Sequence, residues 1–536
     1  MLNRQGLIPL RERQRLIATY DAGETPCSPE QAERQIRSLV QCFEGSHVGI
    51  LQRCLGVIRA FQKSDVLEMW ETQHAWVEAG MDPMAVFVDE CHCCGIQAWG
   101  SRRMNDGHHT YRVLEFERYQ TKFYRENPQL RLKSKRDAQV SPTYDWSNPE
   151  IAAQNLEFLR EVAENYDIDG LDLDYTRIGP YFNVGEEAQG REIMNQHVRE
   201  VRRMLDEVGK KKGKYLGLSA QLYSRDSIWK EKGLELTPEA GRTELHESQE
   251  DDIECHFGEG LDIRTWIQEG LLDVLIAHCR TISFYEMDIS AWHRAVEGTN
   301  CRLVAGAGKP GFFKFRRGGL INGYPAHLTQ HLEHRGIAHR LYEQGADGIF
   351  FYDYVIRFFN LQWEVYRELG DPERLRYANK VFVYQLSLPL ALGYHSKGGK
   401  AEMEIDVPDD LAATLAGGQP VCARLLLNIT ELMTPDDIEL HINGQEVAVE
   451  PEQSITTPLT ITDHPEDKPG CHLEAAVPPE LLKKGCNTLT FTLKPASEKP
   501  PGVVPQPSEV RKVNLELVYR DETYPYWLAL QLDRNL

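Results

Sequence analysis

The sequence predicts a (β/α)8 TIM barrel over residues 1–372, followed by a C-terminal antiparallel β-sandwich over residues 373–536. Short apolar runs alternate with helical patterns as far as about residue 370, which is typical of βα units around a parallel sheet. Eight such runs in this stretch are enough to close a barrel. Beyond residue 372 the pattern changes to period-two alternation separated by turns, which favours a sandwich.

The candidate barrel strands are short and rich in branched or aromatic apolar residues. In chain order they are Leu16–Tyr20, Ser38–Phe43, Ile96–Met104, Gly170–Tyr175, Tyr215–Tyr223, Asp273–His278, Arg302–Gly306 and Gly348–Asp353.

The helices on either side of the fourth strand show the clearest period. The first begins at Ser147-Asn-Pro-Glu150, which offers a capping serine, an early proline and a glutamate three residues on. Its predicted apolar stripe is Ala152, Leu156, Leu159, Ala163 and Tyr166, and that of the following helix is Met194, Val198, Val201, Leu205 and Val208. Both stripes have the spacing of a helix that packs one face on a sheet.

The C-terminal part contains the signals of antiparallel strands. Residues Ile438–Val447 predict a hairpin with a turn at Asn443-Gly444. Residues Gly485–Leu493 and Val513–Tyr519 alternate between apolar and polar side chains. This part resembles the galactose-binding-like sandwiches that accompany many glycosidases.

The net charge and the hydropathy of the chain limit the kinds of partner that we expect it to bind. With 60 basic and 81 acidic side chains the net charge is −21, so a nucleic-acid or anionic-membrane partner is not expected. No apolar stretch reaches the 18 residues of a membrane-spanning helix, and the first residues lack the apolar core of a signal peptide. We therefore expect a cytoplasmic protein, and a neutral substrate such as a sugar is compatible with its charge.

The cysteines do not form a metal-binding pattern. The cluster Glu90-Cys-His-Cys-Cys94 ends a predicted helix, and no second ligand pair lies at zinc-finger spacing. Free thiols are the expected state, and we expect neither a metal nor a cofactor.

The fourth predicted strand ends with the acidic run Asp169-Gly-Leu-Asp-Leu-Asp174-Tyr-Thr-Arg177. Alternation puts Asp172 and Asp174 on one side of the strand, facing the barrel interior. Two carboxylates so close raise each other's pKa, an arrangement that points to chemistry at the strand end. The alternatives are an ion pair with Arg177 and a turn-forming role for Asp169.

Two segments of this region resemble the glycosyl-hydrolase-like family-10 barrel proteins. They are Arg103-Met-Asn-Asp106 and Asn165-Tyr-Asp-Ile-Asp-Gly-Leu-Asp-Leu-Asp-Tyr-Thr-Arg177, and the similarity continues through Gly260–Ile276. The resemblance covers roughly residues 65–280 and implies a TIM-barrel glycosidase fold without fixing the sugar.

The motif is also similar to the chitinase pattern Asp-Gly-x-Asp-x-Asp-x-Glu, but Thr176 stands where that family has its proton-donating glutamate. A threonine hydroxyl is not a general acid near neutral pH, so a chitinase-type mechanism is not expected. The resemblance to α-amylase-type enzymes implies that Asp174 is the nucleophile. The partner acid is predicted to be Asp353, between two tyrosines after the eighth strand, or Glu286 after the sixth.

The remaining candidates are polar or aromatic groups at strand ends that could bind sugar hydroxyls or stack on sugar rings. They are Asp172, Arg177, Tyr175, Arg103, Asn105, Asp106, His109, His278 and Lys309.

Three functions remain open at this stage. The first is a glycoside hydrolase or transglycosidase acting on an oligosaccharide or glycoside. The second is a carbohydrate-binding barrel without catalysis, and the third is a metal-dependent barrel hydrolase using Asp172, Asp174 and nearby histidines.

Overall fold

The structure is a computed structural model. It describes residues 15–20, 26–56, 58–105, 120–133, 143–176, 181–183, 185–223, 259–278, 287–306, 320–321, 324–352, 366–384, 390–394, 396–432, 434, 437–451, 471–495 and 506–519, with backbone alone for 320–331.

Eight parallel strands close into a barrel, as the sequence predicts. They are β1 Leu16–Tyr20, β2 Val48–Cys54, β3 Gln97–Arg103, β4 Gly170–Asp174, β5 Gly217–Tyr223, β6 Val274–His278, β7 Arg302–Gly306 and β8 Gly348–Phe351. Each strand pairs with its neighbours along the chain, and β1 closes the ring by pairing with both β2 and β8.

The described helices lie mainly between these strands. They are α1 Pro29–Gln41, α2 Glu71–Glu78, α3 Pro83–Cys93, α4 Lys122–Glu126, α5 Pro149–Asn165, α6 Glu187–Lys212, α7 Ile263–Gln268, α8 Ser290–Val296, α9 Ala326–Glu343, α10 Pro372–Arg376 and α11 Leu411–Ala416. Among the described residues, none of these helices is both long and apolar enough to cross a membrane.

One predicted strand is wrong. Residues Ser38–Phe43 lie at the end of α1 and just after it, and the second barrel strand is Val48–Cys54. Ser28 caps α1 in a capping box with Gln31, and the buried Ile36 and Val40 recur at helical spacing. The apolar run at 38–43 is therefore the last turn of an amphipathic helix, which a short window does not distinguish from a strand.

The helices around β4 are where the sequence predicts them, with two differences in detail. Asn148 rather than Ser147 precedes α5, and the Ser147 hydroxyl donates a hydrogen bond to Asp145 at 2.6 Å. The buried face of α5 includes Ile151 and Phe158 instead of the predicted Ala152 and Leu156. The predicted stripe of α6, from Met194 to Val208, is buried throughout.

The chain divides into two compact units. The first comprises Met1–Ile282, Met287–Lys309 and Gln344–Gly370, and it contains all eight barrel strands. The second comprises Ser283–Glu286, Pro310–Glu343 and Asp371–Leu536, so it includes α9 together with the C-terminal strands.

The described strands after residue 372 form two antiparallel sheets that share one apolar core. They are β9 Lys380–Tyr384, β10 Leu390–Gly393, β11 Gly399–Val407, β12 Val421–Ile429, β13 Ile438–Ile442, β14 Gln445–Val447, β15 Glu450–Pro451, β16 Cys471–Val477, β17 Gly485–Leu493 and β18 Ser508–Tyr519. One sheet has the order β9-β18-β12-β16-β15, with β10 also on β18, and the other β11-β17-β13-β14. This arrangement confirms the predicted sandwich.

The predicted hairpin is confirmed by β13 and β14. Asn443 and Gly444 connect the strands with φ angles of 51° and 84°. Both lie in the left-handed region, where Asn and Gly are the preferred residues of a two-residue hairpin turn.

Candidate active site

Every second residue of the barrel strands faces the interior, and the character of these side chains changes along the barrel. At the amino-terminal end Trp99 fills the interior, where it packs with Ile17, Ile50 and Val274. Its ring lies over Gly170 and Gly217, and a Cβ atom on either glycine would approach that ring to 2.6 or 2.5 Å. This end of the barrel is therefore closed by apolar packing.

Polar side chains occupy the next interior positions, and Asp172 is at their centre. Its side chain is fully buried. The Ser101 and Ser219 hydroxyls donate to its carboxyl oxygens at 2.7 and 2.6 Å, and the Gln221 side-chain amide donates to it as well. Since these donors come from β3 and β5, they tie β4 to both of its neighbours.

The network continues across the barrel to the first two strands. The Gln221 amide also donates to the Gln52 side-chain oxygen at 3.0 Å, and the Thr19 hydroxyl donates to the same oxygen at 2.9 Å. A buried hydrogen-bonded network of this kind orders the side chains that form it.

Burial raises the pKa of Asp172 to about 7, and the nearby charge of Asp174 acts in the same direction. The hydrogen bonds from Ser219, Ser101 and Gln221 oppose this shift because they favour the ionised form. Asp172 therefore holds its proton through the acidic range and titrates near neutrality.

Asp174, the last residue of β4, is 2% exposed and lies one interior position beyond Asp172. Its Oδ1 atom accepts the backbone N–H of Thr176 at 2.8 Å and also the Thr176 hydroxyl. Among the described residues no hydrogen bond reaches Oδ2. Thr176 thus fixes Oδ1 in place with two hydrogen bonds.

Thr176 was not among the candidate site residues, because the motif comparison considered it only as a replaced acid, yet it hydrogen-bonds Asp174 through both its backbone and its side chain. The signal was an Asp followed two residues later by a threonine, a spacing at which side chain and backbone close a local turn.

Cationic and aromatic side chains border the same end of the barrel. The Arg103 guanidinium donates to the Tyr352 hydroxyl at 3.3 Å. The Tyr352 ring stacks on His278 with 5.5 Å between centroids, and Phe350 lies 4.8 Å from His278. Arg103 and His278, both predicted from the sequence, are therefore connected through Tyr352.

The side chain of Tyr175 does not join the polar network around Asp172 but packs among aromatic rings. It is buried between Tyr181 and Trp266, whose ring centroids lie 5.6 and 5.3 Å from its own. Burial raises its pKa well above the ordinary tyrosine value.

Asn105 follows β3 and borders a cavity of about 370 Å³ at the carboxyl end of the barrel. We call this space the rim cavity; its lining includes Arg103, Met104, Asn105, Phe123, Tyr144 and Gln154. The backbone N–H of Met104 donates to the carbonyl of Asp174 at 2.9 Å, so this lining and the end of β4 are joined directly.

The structure thus places five of the predicted site residues toward the carboxyl ends of the strands, namely Asp172, Asp174, Arg103, Asn105 and His278, whereas Tyr175 packs apart from them. Six others lie outside the described residues: Asp353, Glu286, Arg177, Asp106, His109 and Lys309. Their roles stay predictions.

Asp169 lies at the other end of β4. It accepts hydrogen bonds from the backbone N–H of Ala98 and from the His92 ring, each at 2.9 Å. The hydrogen bond to Asp169 raises the pKa of His92. In the neighbouring thiol cluster, Cys91 is buried and Cys93 is exposed. Within the described ranges, no group of three or more His, Cys, Asp or Glu side chains is placed to hold a metal ion.

An eight-stranded parallel barrel with polar groups at the carboxyl ends of its strands is the general arrangement of TIM-barrel enzymes. No known family model matches the chain, and no curated protein is similar to it in sequence.

Solved structures with similar folds include glycoside hydrolases. The PgaB (BpsB) glycoside hydrolase domain from Bordetella bronchiseptica is 11% identical with a TM-score of 0.39, over 66% of this chain and 98% of that one. A family 18 N-acetylglucosaminidase from Paenibacillus barengoltzii is 11% identical with a TM-score of 0.38, over 66% and 99%. A cycloisomaltooligosaccharide glucanotransferase from Paenibacillus sp. is 9% identical with a TM-score of 0.32; 94% of this chain aligns, but only 57% of that one.

Proposed function

We propose that the protein is a glycoside hydrolase or transglycosidase that acts at the carboxyl end of its barrel, with Asp174 as the nucleophile or base. The observation that carries the proposal is the burial and hydrogen bonding of the Asp174 carboxyl group. It is buried at the end of β4, its Oδ1 is held by Thr176, and no donor among the described residues reaches its Oδ2.

This geometry suits the chemistry of glycosidic bonds. Cleavage passes through an oxocarbenium-like transition state, whose positive charge is stabilised by a nearby carboxylate. The attraction is stronger in a buried site, where water does not screen it. A carboxylate held by two donors from Thr176 is oriented before the substrate arrives, which lowers the barrier further.

A second carboxyl group has to protonate the leaving oxygen. We propose Asp353, which follows β8 beside Tyr352, and Glu286 as its competitor after β6. Flanking tyrosines favour a raised pKa, as a proton donor requires. A separation of about 5–5.5 Å between this group and Asp174 would give retention of configuration, and about 6.5–9.5 Å would give inversion.

The proposed substrate-binding groups are polar residues at or just after the ends of the barrel strands. Arg103, Asn105 and His278 lie at the ends of β3 and β6, and Arg177, Asp106, His109 and Lys309 are assigned by their position in the sequence. Their donors match the hydroxyl groups of a sugar.

The proposal is tested by Asp174→Asn, assayed against a panel of aryl glycosides and oligosaccharides. The amide keeps the hydrogen bonds with Thr176 but removes the negative charge and the nucleophile. Turnover should fall by more than about 10³-fold. The folded state is checked by circular dichroism and thermal unfolding.

Asp169→Asn is the matched control, since it makes the same change at the opposite end of the same strand. It should lower the thermal stability through the lost charge opposite His92 and leave kcat unchanged while the protein is folded. Activity of Asp174→Asn within tenfold of the wild type would overturn the assignment of Asp174.

A carbohydrate-binding barrel without catalysis is the second candidate. It is favoured by Thr176, which stands at the position of the chitinase proton donor and serves Asp174 as a hydrogen-bond donor. A protein of this kind would bind members of the same oligosaccharide panel and turn over none of them.

A further inference from the structure

We propose that the rim cavity is a subsite for a second sugar unit, so that the substrate is a neutral oligosaccharide rather than the glycoside of a single sugar. The inference rests on the proposed function, because it takes Asp174 as the reacting carboxylate.

The position of the rim cavity is the first argument. Arg103 is the register partner of Asp174 on the neighbouring strand, and Met104 donates its backbone N–H to the Asp174 carbonyl. Arg103 also reaches Tyr352 inside the barrel, so it borders both the barrel mouth and the rim cavity. A sugar at Asp174 would therefore have its neighbour in the chain at the rim cavity.

The chemistry of the lining is the second argument. Phe123 and Tyr144 contribute two rings whose centroids are 6.1 Å apart, and Asn105, Thr121 and Gln154 contribute polar groups. A pyranose has apolar faces that pack on aromatic rings and hydroxyls around its edge that need hydrogen bonds. A volume of about 370 Å³ lies at the lower end of the usual range for ligand pockets.

The charged side chains of the lining include both signs, and several of them already have partners within the protein. Glu68 lies 3.2 Å from Arg59 and accepts the backbone N–H of Lys122 at 2.7 Å. Glu126 lies 3.9 Å from the Lys122 ammonium group. The Arg102 guanidinium lies over the Phe158 ring at 4.9 Å. A neutral ligand fits this balance better than a charged one.

The wall that carries Tyr144 is also held in place before any ligand binds. Residues 130–132 and 143–145 are joined by backbone hydrogen bonds from Leu132 to Thr143 at 2.9 Å and from Asp145 to Leu130 at 3.0 Å. The Arg131 guanidinium lies 3.9 Å from the centre of the Tyr124 ring. A preformed wall lowers the entropy lost when a sugar binds.

The experiment measures sugar binding in the Asp174→Asn protein by isothermal titration calorimetry. The probes are maltotriose, cellotriose and triacetylchitotriose, each compared with its monosaccharide, glucose or N-acetylglucosamine. At least one trisaccharide should bind about tenfold or more tightly than its monosaccharide. Adding Phe123→Ala should reduce that ratio by about fivefold to tenfold, and Phe123→Trp should preserve it.

Tyr394→Ala, which removes an exposed ring of the sandwich, is the control and should leave the ratio unchanged. The inference is wrong if no trisaccharide binds more tightly than its monosaccharide, if Phe123→Ala leaves the ratio as it was, or if trigalacturonate binds more tightly than every neutral trisaccharide. The proposed function is judged separately, by the turnover of Asp174→Asn, so either can fail without the other.

Discussion

The carboxyl group of Asp172 is removed from water, and its hydrogen bonds come from protein side chains instead. Two serine hydroxyls and the Gln221 amide donate to it, and no part of its side chain is exposed. Because burial penalises the ionised form more than these bonds favour it, the pKa of Asp172 rises to about 7. Between about pH 4 and pH 7 the folded protein thus binds a proton that the unfolded chain has released.

This difference makes a testable prediction for Asp172→Asn. When the folded state binds more protons, the free energy of unfolding decreases as the pH rises. The wild type should therefore lose stability relative to Asp172→Asn between about pH 4 and pH 7, by at most about 4 kcal/mol, and the difference should level off above pH 7. Urea unfolding of both proteins at pH 5 and pH 8 measures it. An equal stability difference at the two pH values would contradict the raised pKa.

At the scale of the strands, the closed end of the barrel depends on two glycines beside a large ring. Gly170 on β4 and Gly217 on β5 leave room for Trp99 on β3, which lies against both. Neither glycine is needed for a turn; each is needed because a side chain there would meet the indole. The packing of one ring thus determines residue choice on two neighbouring strands.

We expect Gly217→Ala to destabilise the barrel by about 1–3 kcal/mol, because the added methyl group would lie 2.5 Å from the Trp99 ring. In a Trp99→Leu background the same change should be much less harmful, since the smaller side chain leaves space. The four proteins form a double-mutant cycle that is measured by chemical unfolding. Additive effects would show that Trp99 and Gly217 are not coupled.

At the scale of the whole molecule, the helix α9 lies before the predicted boundary at residue 372 but belongs to the second compact unit. Its buried Arg335 and Arg340 donate to the carbonyls of Asn379 and Asp406, each at 3.2 Å. His339 lies 3.3 Å from Asp409, which also pairs with the buried Lys380 at 2.8 Å. Residues beyond 372 therefore supply the hydrogen-bond or charged partners of Arg335, Arg340 and His339 in this helix.

A chain that ends at residue 372 should consequently be much less stable than the 536-residue chain. The cut removes the hydrogen-bond partners of Arg335 and Arg340 together with Phe382, whose ring lies 5.3 Å from the Arg340 guanidinium, and hydrogen bonds of charged groups typically contribute about 1.5–3 kcal/mol each. Thermal unfolding followed by circular dichroism compares the two chains, with a chain ending at residue 519 as the control for truncation. If the 372-residue chain unfolds at the temperature of the 536-residue chain, α9 does not depend on these contacts.

Seven of the eight barrel strands, the sandwich hairpin and the inward face of β4 follow from the sequence alone. These features depend on local properties: the period of apolar residues, the turn preference of Asn443-Gly444, and the alternation that separates Asp172 and Asp174 from Leu171 and Leu173. The sequence prediction was wrong at Ser38–Phe43. A short apolar run has no clear period, and this one belongs to the helix that begins at the capping box of Ser28.

The tertiary structure alone decided which partners these residues have. That Asp172 is enclosed by Ser101, Ser219 and Gln221 depends on the register of three strands, and both neighbouring strands are far from Asp172 along the chain. The rim cavity likewise combines the end of β3 with Phe123 and Tyr144, and α9 finds its partners beyond residue 372. Hydrogen bonds and burial act over a few ångströms in space, and the sequence records distance along the chain only.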